Sequence, residues 1–358
     1  MLRPREDVLT VPAYHPPLKG RDGLRLDFNE NTVGCSPRVL ERLRALGPED
    51  LARYPEREPV EEVTARSLGV DPSELLLTNG VDEAIHLLCQ TYLEPGDEAL
   101  IVVPTYSMYR IYIMAAGARV IEVPAQTDFA FPADKVQNAI TERTRLIAIA
   151  NPNNPTGTVA SGEDILRIAK AAPSAAVLVD EAYFEFYGKS LLARRRETPN
   201  LFVARTFSKA YGLAGLRAGV LVGDPDQMGA VRRVCSPYNV NALALASLPE
   251  ALADQEYIQR YVGEVRESRA RLERAFESAG IRYWTSQANF VLARVGYAAA
   301  FVEHMRRRGI LVRNRSSDHG CEGCVRITLG PRAETDRMLT ALQESLEEMG
   351  VVQGAQQR

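Results

Sequence analysis

The sequence predicts an α/β protein: a mostly parallel central sheet with helices on both faces, plus a smaller α+β domain. Three observations predict it. Between residues 75 and 222, short apolar runs alternate with helical patterns, as strand–helix units of a parallel sheet do. Those runs are near-continuous in Val, Ile, Leu and Ala, which suits strands covered on both faces. After residue 223 the pattern changes to charge-laced helices with scattered short strands. A length of 358 residues fits two domains at roughly 150 residues each. The expected division is an N-terminal segment 1–45 packing on the small domain, a large domain 46–240 and a small domain 241–358.

Strands are predicted at Leu75–Thr78, Ala99–Val103, Arg119–Val123, Arg145–Ala150, Ala176–Asp180, Leu201–Arg205 and Ala218–Val222. Helices fall between most of them. Val81–Leu93 puts Ile85, Leu88 and Tyr92 on one face, the spacing of a helix with one buried side. Ser107–Ala116, Ala133–Thr141 and Gly162–Ala171 follow the same pattern. Beyond residue 223, Asp226–Cys235 and one long segment, Ala242–Ala279, read as helices. Then come strand-like Asn289–Val295, helix Ala298–Arg308, strand-like Ile310–Arg313, strand-like Val325–Leu329 and a final helix, Ala333–Met349. The first 45 residues are proline-rich and irregular.

Composition narrows the function classes. Hydrophobic residues make up 46% and charged residues 25%, which argues against disorder, collagen-like repeats and coiled coil. Lys+Arg is 43 and Asp+Glu 46, a net charge of −3. That gives no electrostatic reason to expect nucleic acid or an anionic membrane as partner. No apolar run reaches the roughly 18 residues of a membrane helix. The opening, MLRPREDVLTVPAYHPP, is charged and proline-broken, unlike a signal peptide. The five cysteines, Cys35, Cys89, Cys235, Cys321 and Cys324, fit reduced thiols in a cytoplasm better than a disulfide framework. Cys321 and Cys324 follow His319, but no further ligand spacing accompanies them. A glycine-rich loop is the better reading there, and no metal is expected.

In open parallel sheets ligands bind beyond the carboxyl ends of the strands. The segment from Thr206 to Gly219 follows such an end and gathers Thr206, Ser208, Lys209 and Arg217 among glycines. Hydroxyls and an arginine suit a phosphate, and glycines let backbone approach it. Lys209 is a candidate nucleophile towards a carbonyl. Asp180 ends a fully apolar strand, where a carboxylate is costly unless paired with a cation. NPNNPTG, residues 151–157, projects Asn side chains from a turn. Backbone amides at Val81 and Asp82 begin a helix and suit an anion. Tyr106 places a ring at another strand end. Singly, each has a plain reading: Asp180 a helix cap, NPNNPTG a tight turn, Tyr106 core, Lys209 and Arg217 solvated charges. Five such features at five strand ends are poorly explained as independent accidents. Together they suit pyridoxal 5′-phosphate, whose pyridine nitrogen needs an acid to stay protonated.

The motifs LDFNEN, NPNNPTG, VDEAY, RTFSKAYGLAGLRAG and VRITLG together resemble the fold-type-I aminotransferases, and within them the histidinol-phosphate aminotransferase family. The likeness runs over almost the whole chain. It implies a ping-pong transamination in which Lys209 forms the aldimine with the cofactor and then shuttles the proton. It implies that Asp180 pairs with the pyridine nitrogen, and that Tyr183 and Asn154 bond the phenolic oxygen. Tyr106 would stack on the ring, and Thr206, Ser208, Arg217 and the Val81–Asp82 backbone would hold the phosphate. Tyr54 would reach the phosphate of a neighbouring subunit, which requires a homodimer with shared active sites. Arg313, Arg326, Asn154 and Tyr14 would face the substrate, a small-molecule amino donor or 2-oxo acid acceptor.

The preferred substrates are L-histidinol phosphate and 2-oxoglutarate, in histidine biosynthesis. An aromatic amino-acid aminotransferase is the alternative, with a threonine-phosphate decarboxylase and a non-catalytic pyridoxal-phosphate-binding module more remote. One departure from the family is that Thr32 and Cys35 stand where prolines are common.

Overall fold

The computed structural model describes residues 2–13, 20 and 22–350. Its strands are β1 (Leu24–Arg25), β2 (Leu75–Asn79), β3 (Glu98–Val103), β4 (Arg119–Pro124), β5 (Thr144–Ala150), β6 (Ala176–Asp180), β7 (Leu201–Thr206), β8 (Ala218–Val222), β9 (Arg282–Trp284), β10 (Phe290–Arg294), β11 (Ile310–Leu311), β12 (Arg313–Asn314) and β13 (Cys324–Thr328). A seven-stranded sheet has the order β2-β8-β7-β6-β5-β3-β4. Its pairings are parallel except those of β8, which runs antiparallel to both β2 and β7.

Strands β6, β7 and β8 are buried at every position. Alternation divides them between two cores: Val177 and Val179 face one, Ala176 and Leu178 the other. That is the two-residue period of a strand covered on both sides. The covering helices start where the sequence supplies caps. Ser161 accepts from the Asp164 N–H at 3.1 Å and opens helix Gly162–Ala171, satisfying an end donor that the helix itself leaves unpaired. Ile165, Leu166, Ile168 and Ala169 are its buried positions.

The smaller body has an antiparallel sheet of order β12-β13-β10-β9, flanked by helices Gln255–Ser278, Ala298–Arg307 and Arg332–Glu348. The described part of the first 45 residues, expected to pack on the small domain alone, meets both bodies. β1 pairs in parallel with β11, helix Glu6–Thr10 lies against Met108–Ala115, and helix Pro37–Arg44 packs on Ala242–Ala253.

Four details depart from the sequence reading. The first 45 residues, expected to be irregular, carry helices Glu6–Thr10 and Pro37–Arg44 and strand β1. Ala242–Ala279 is not one helix: it breaks at Asp254, whose carboxylate accepts from the Tyr257 N–H and so starts a second helix. Ile310–Arg313 is not one strand. Its first two residues pair with β1, and Arg313 turns into the antiparallel sheet as β12. Strand β9 was not anticipated, being three residues long.

Candidate active site

The carboxyl ends of β2, β3, β5, β6 and β7 point to one rim of the large sheet, and most of the residues singled out from the sequence gather there. Lys209 follows β7 and is half-buried. Its Nζ donates to the Phe28 carbonyl at 3.2 Å and lies 5.8 Å from the Tyr183 ring centre. Burial, then repulsion from Arg326 and Arg217, brings its ammonium down to about 8.

Asp180, at the end of β6, is 5% exposed. Its Oδ2 accepts from the Tyr109 hydroxyl at 2.6 Å, and its Oδ1 from the Ala182 N–H at 3.0 Å. Both bonds favour the charged form, yet burial outweighs them and lifts the carboxyl to about 6. A buried carboxylate held by two donors and no direct ion pair is an acceptor awaiting a cation.

Tyr183 is buried, and its hydroxyl accepts from the Asn29 amide at 2.9 Å. Asn154 accepts from Arg326 Nη1 at 2.5 Å, and Arg326 Nη2 donates to the Asp27 carbonyl at 2.7 Å. Arg326 is itself buried, its Nε has no hydrogen-bond partner, and burial lowers its guanidinium to about 10. Arg313 is the register partner of Arg326 across β12 and β13, and its guanidinium lies 5.3 Å from the Phe28 ring.

A second cluster forms around the start of helix Gly80–Tyr92. Val81 is buried there. Arg217 Nη2 donates to Asp82 at 3.0 Å, and the Tyr106 hydroxyl donates to the same carboxylate at 2.8 Å. The Thr206 hydroxyl donates to Ser208 Oγ at 3.0 Å, and Arg217 reaches Ser208 Oγ at 3.5 Å. Gly80 has φ +71°, and a Cβ there would lie 2.6 Å from Arg217 Nη2. A Cβ on Gly219 would lie 2.7 Å from the Gly80 backbone. Two hydroxyls, a guanidinium and helix N-terminal amides drawn together through glycines form a cradle for a phosphate. With a buried acid and a low-lying amine beside it, this donor set fits pyridoxal phosphate.

Tyr54 is not part of this cluster within the chain. It is 77% exposed and stacks on Tyr238 with ring centres 4.2 Å apart. Tyr14 lies outside the described residues. Cys321 and Cys324 are buried free thiols, and no group of three His, Cys, Asp or Glu able to hold a metal occurs among the described residues. No described helix is long and apolar enough to cross a membrane.

Sequence reasoning missed Tyr109 and Asn29, which hold Asp180 and Tyr183. Asn29 lies inside LDFNEN and has φ +56°, a conformation that Asn tolerates better than most residues. Its Oδ1 accepts from Thr328 at 3.0 Å. An asparagine in the middle of that motif was the available signal. Tyr109 carried none, since its partner is 71 residues away.

Comparison with known proteins agrees with the geometry. The profile of the family "Aminotransferase class I and II" matches residues 21–342. The histidinol-phosphate aminotransferase of Paracoccus denitrificans is 37% identical, covering 91% of this chain and 90% of its own. That of Caldanaerobacter subterraneus subsp. tengcongensis is 38% identical, covering 90% and 93%. The crystal structure of the Sinorhizobium meliloti histidinol-phosphate aminotransferase in complex with pyridoxal-5′-phosphate superposes with a TM-score of 0.88 at 27% identity, covering 98% of this chain and 99% of that one. A lysine, an acid and a phosphate cradle on a shared rim, in a chain matched over nine-tenths of its length, have one account: this protein belongs to the class I and II aminotransferases.

Proposed function

We propose that this enzyme transaminates between L-histidinol phosphate and 2-oxoglutarate, a step of histidine biosynthesis, with pyridoxal phosphate as cofactor. The observation that carries the reading is the buried Asp180 facing the same rim as Lys209, with Arg313 and Arg326 across its mouth. The likeness to histidinol-phosphate aminotransferases supports the substrate. The cofactor, when bound, supplies a carbonyl that takes the amino group and a ring that withdraws electrons.

Each residue then has a task. Lys209 at about 8 is roughly 10% neutral at pH 7, against well under 0.1% for a free lysine. It is therefore a usable nucleophile, and a base for the proton on the substrate Cα. Asp180 holds the proton on the pyridine nitrogen. Tyr183 and Asn154 orient the phenolic oxygen, and Tyr106 covers the ring. Thr206, Ser208, Arg217 and the Val81–Asp82 amides hold the phosphate. Arg313 and Arg326 bind the acidic end of the substrate, as planar forks that accept phosphate or carboxylate.

The enzyme acts as a homodimer. The exposed Tyr54–Tyr238 stack is the kind of aromatic surface that a second subunit covers, with Tyr54 reaching the partner's phosphate. Five free cysteines suit a reducing cytoplasm.

The test is a half-transamination. Holoenzyme is mixed with L-histidinol phosphate or with L-phenylalanine, and loss of the visible band is followed. Conversion by histidinol phosphate with phenylalanine inert is expected. The reverse result would move the enzyme to aromatic substrates. Lys209→Ala, folded and inactive, is expected beside it.

A further inference from the structure

Three arginines share one face at the edge of the small sheet. Arg313 pairs in register with Arg326. The Arg315 N–H donates to the Cys324 carbonyl at 2.9 Å, so the ladder runs on past Asn314. Alternation then returns Arg315 to the face that carries Arg313. Its charge is felt there: after burial, Arg315 is the strongest influence depressing Arg326, and it also acts on Tyr183. Each of the three has a buried nitrogen without a hydrogen-bond partner, namely Arg313 Nη1, Arg315 Nε and Arg326 Nε. Asp318 is ion-paired with Arg315.

The charges of these four side chains sum to +2. Unpaired buried donors and mutual repulsion are both costly, and an anion drawn into the cluster relieves both. A carboxylate brings one negative charge. A phosphate monoester brings −1.5 to −2 at pH 7 and three acceptor oxygens. We propose that Arg315, held by Asp318, is a third substrate arginine that makes this end of the site selective for a dianionic phosphate monoester over a carboxylate. The inference rests on the transamination reading above. It adds a third residue to Arg313 and Arg326. Asp318 is a positioning residue, fixing one side of the Arg315 guanidinium.

The test compares two half-reactions in wild-type holoenzyme and in Arg315→Gln. The first uses L-histidinol phosphate and the second L-glutamate. The variant is expected to raise the half-saturating histidinol phosphate concentration by about 10- to 100-fold, the range for losing a charge-assisted hydrogen bond. The loss on glutamate is expected to be several-fold smaller. Arg315→Lys recovers part of the difference, because it keeps the charge and loses the fork. No loss, or equal loss on both donors, overturns the inference. A wild type active with glutamate and inert with histidinol phosphate overturns the substrate reading instead, so the two failures are distinct.

A second measurement needs neither variant nor histidinol phosphate. Methyl phosphate and sulfate are compared as competitors of glutamate in the wild type. Sulfate keeps its double charge, whereas a phosphate monoester gains its second charge near pH 6. The ratio of the methyl phosphate to the sulfate inhibition constant is expected to fall about fourfold between pH 5.5 and 7.5. An unchanged ratio overturns dianion selectivity.

Discussion

Asp180→Asn separates what the acid costs the fold from what it does for the reaction. Burial lifts the Asp180 carboxyl from 3.8 to about 6. An unfolded aspartate titrates near 3.9. Between about pH 4 and 6 the folded, cofactor-free protein therefore holds a proton that the unfolded chain has released. Stability contributed at this site falls as pH rises through that window. Above about pH 6 the deficit is full, at about 3 kcal/mol.

Asparagine removes the charge and keeps both partners. Its Oδ1 can accept from the Ala182 N–H, and its Nδ2 can donate to the Tyr109 hydroxyl once that hydroxyl turns. The cofactor-free variant is expected to gain up to about 3 kcal/mol at pH 7, a rise of about 5 °C in Tm. The gain shrinks to about 0.5 kcal/mol at pH 4. Turnover falls by about 10²- to 10³-fold, the usual cost of losing one preorganised electrostatic partner. Thermal melts of the cofactor-free protein at both pH values, with half-reaction rates of the holoenzyme, read both effects. A variant no more stable than wild type at pH 7, or one whose gain is the same at pH 4, refutes the reasoning.

Tyr109→Phe removes a 2.6 Å donor from the same carboxylate. A bond to a charged group is worth about 1.5–3 kcal/mol, so the pH at which cofactor binding weakens on the acid side should rise by about one to two units; a pH series of binding titrations checks this. Gly80→Ala places a Cβ 2.6 Å from Arg217 Nη2 at φ +71°. It should cost about 1–3 kcal/mol in strain and weaken cofactor binding, whereas Gly69→Ala, at φ +67° with nothing within 4 Å, should show strain alone. Glu74 is pushed up by burial, but hydrogen bonds from Arg196 and Arg195 more than offset this and bring it down to about 2. Its stabilisation is complete above about pH 4.5 and lost as pH falls towards 2. Glu74→Gln should therefore cost about 3 kcal/mol at pH 7 and much less at pH 3, read by urea unfolding.

The large sheet was legible because its strands are buried on both faces, so Val177-Leu-Val179 announces itself without any partner being known. The break at Asp254 was not, because helical periodicity continues on both sides of it. What stops the first helix is a side chain capping the next, which a periodic pattern does not register. The split between β11 and β12 was hidden for a related reason: Ile310 and Arg313 belong to different sheets, and a run of apolar residues does not say which neighbour it pairs with. At the site, Lys209, Asp180 and Arg217 were legible as chemical types at strand ends. Asn29 and Tyr109 were not, because their task is to hold other residues across long stretches of chain.

The reversed direction of β8 has a consequence for how the site is assembled. A parallel strand after β7 would need a crossover of a dozen or more residues and would begin at the far edge of the sheet. Because β8 runs back, the link from Thr206 to Ala218 stays on the rim where β7 ends, with Thr206 opposite Gly219 and Asn79 opposite Ala218. One short hairpin thus delivers the amine of Lys209 on its outward limb and the guanidinium of Arg217 on its return. In the proposed reaction the hairpin would act as a caliper, with Lys209 and Arg217 as the jaws that grip two ends of one bound molecule. Adding or removing a residue between Lys209 and Arg217 would change that gauge while leaving both side chains present.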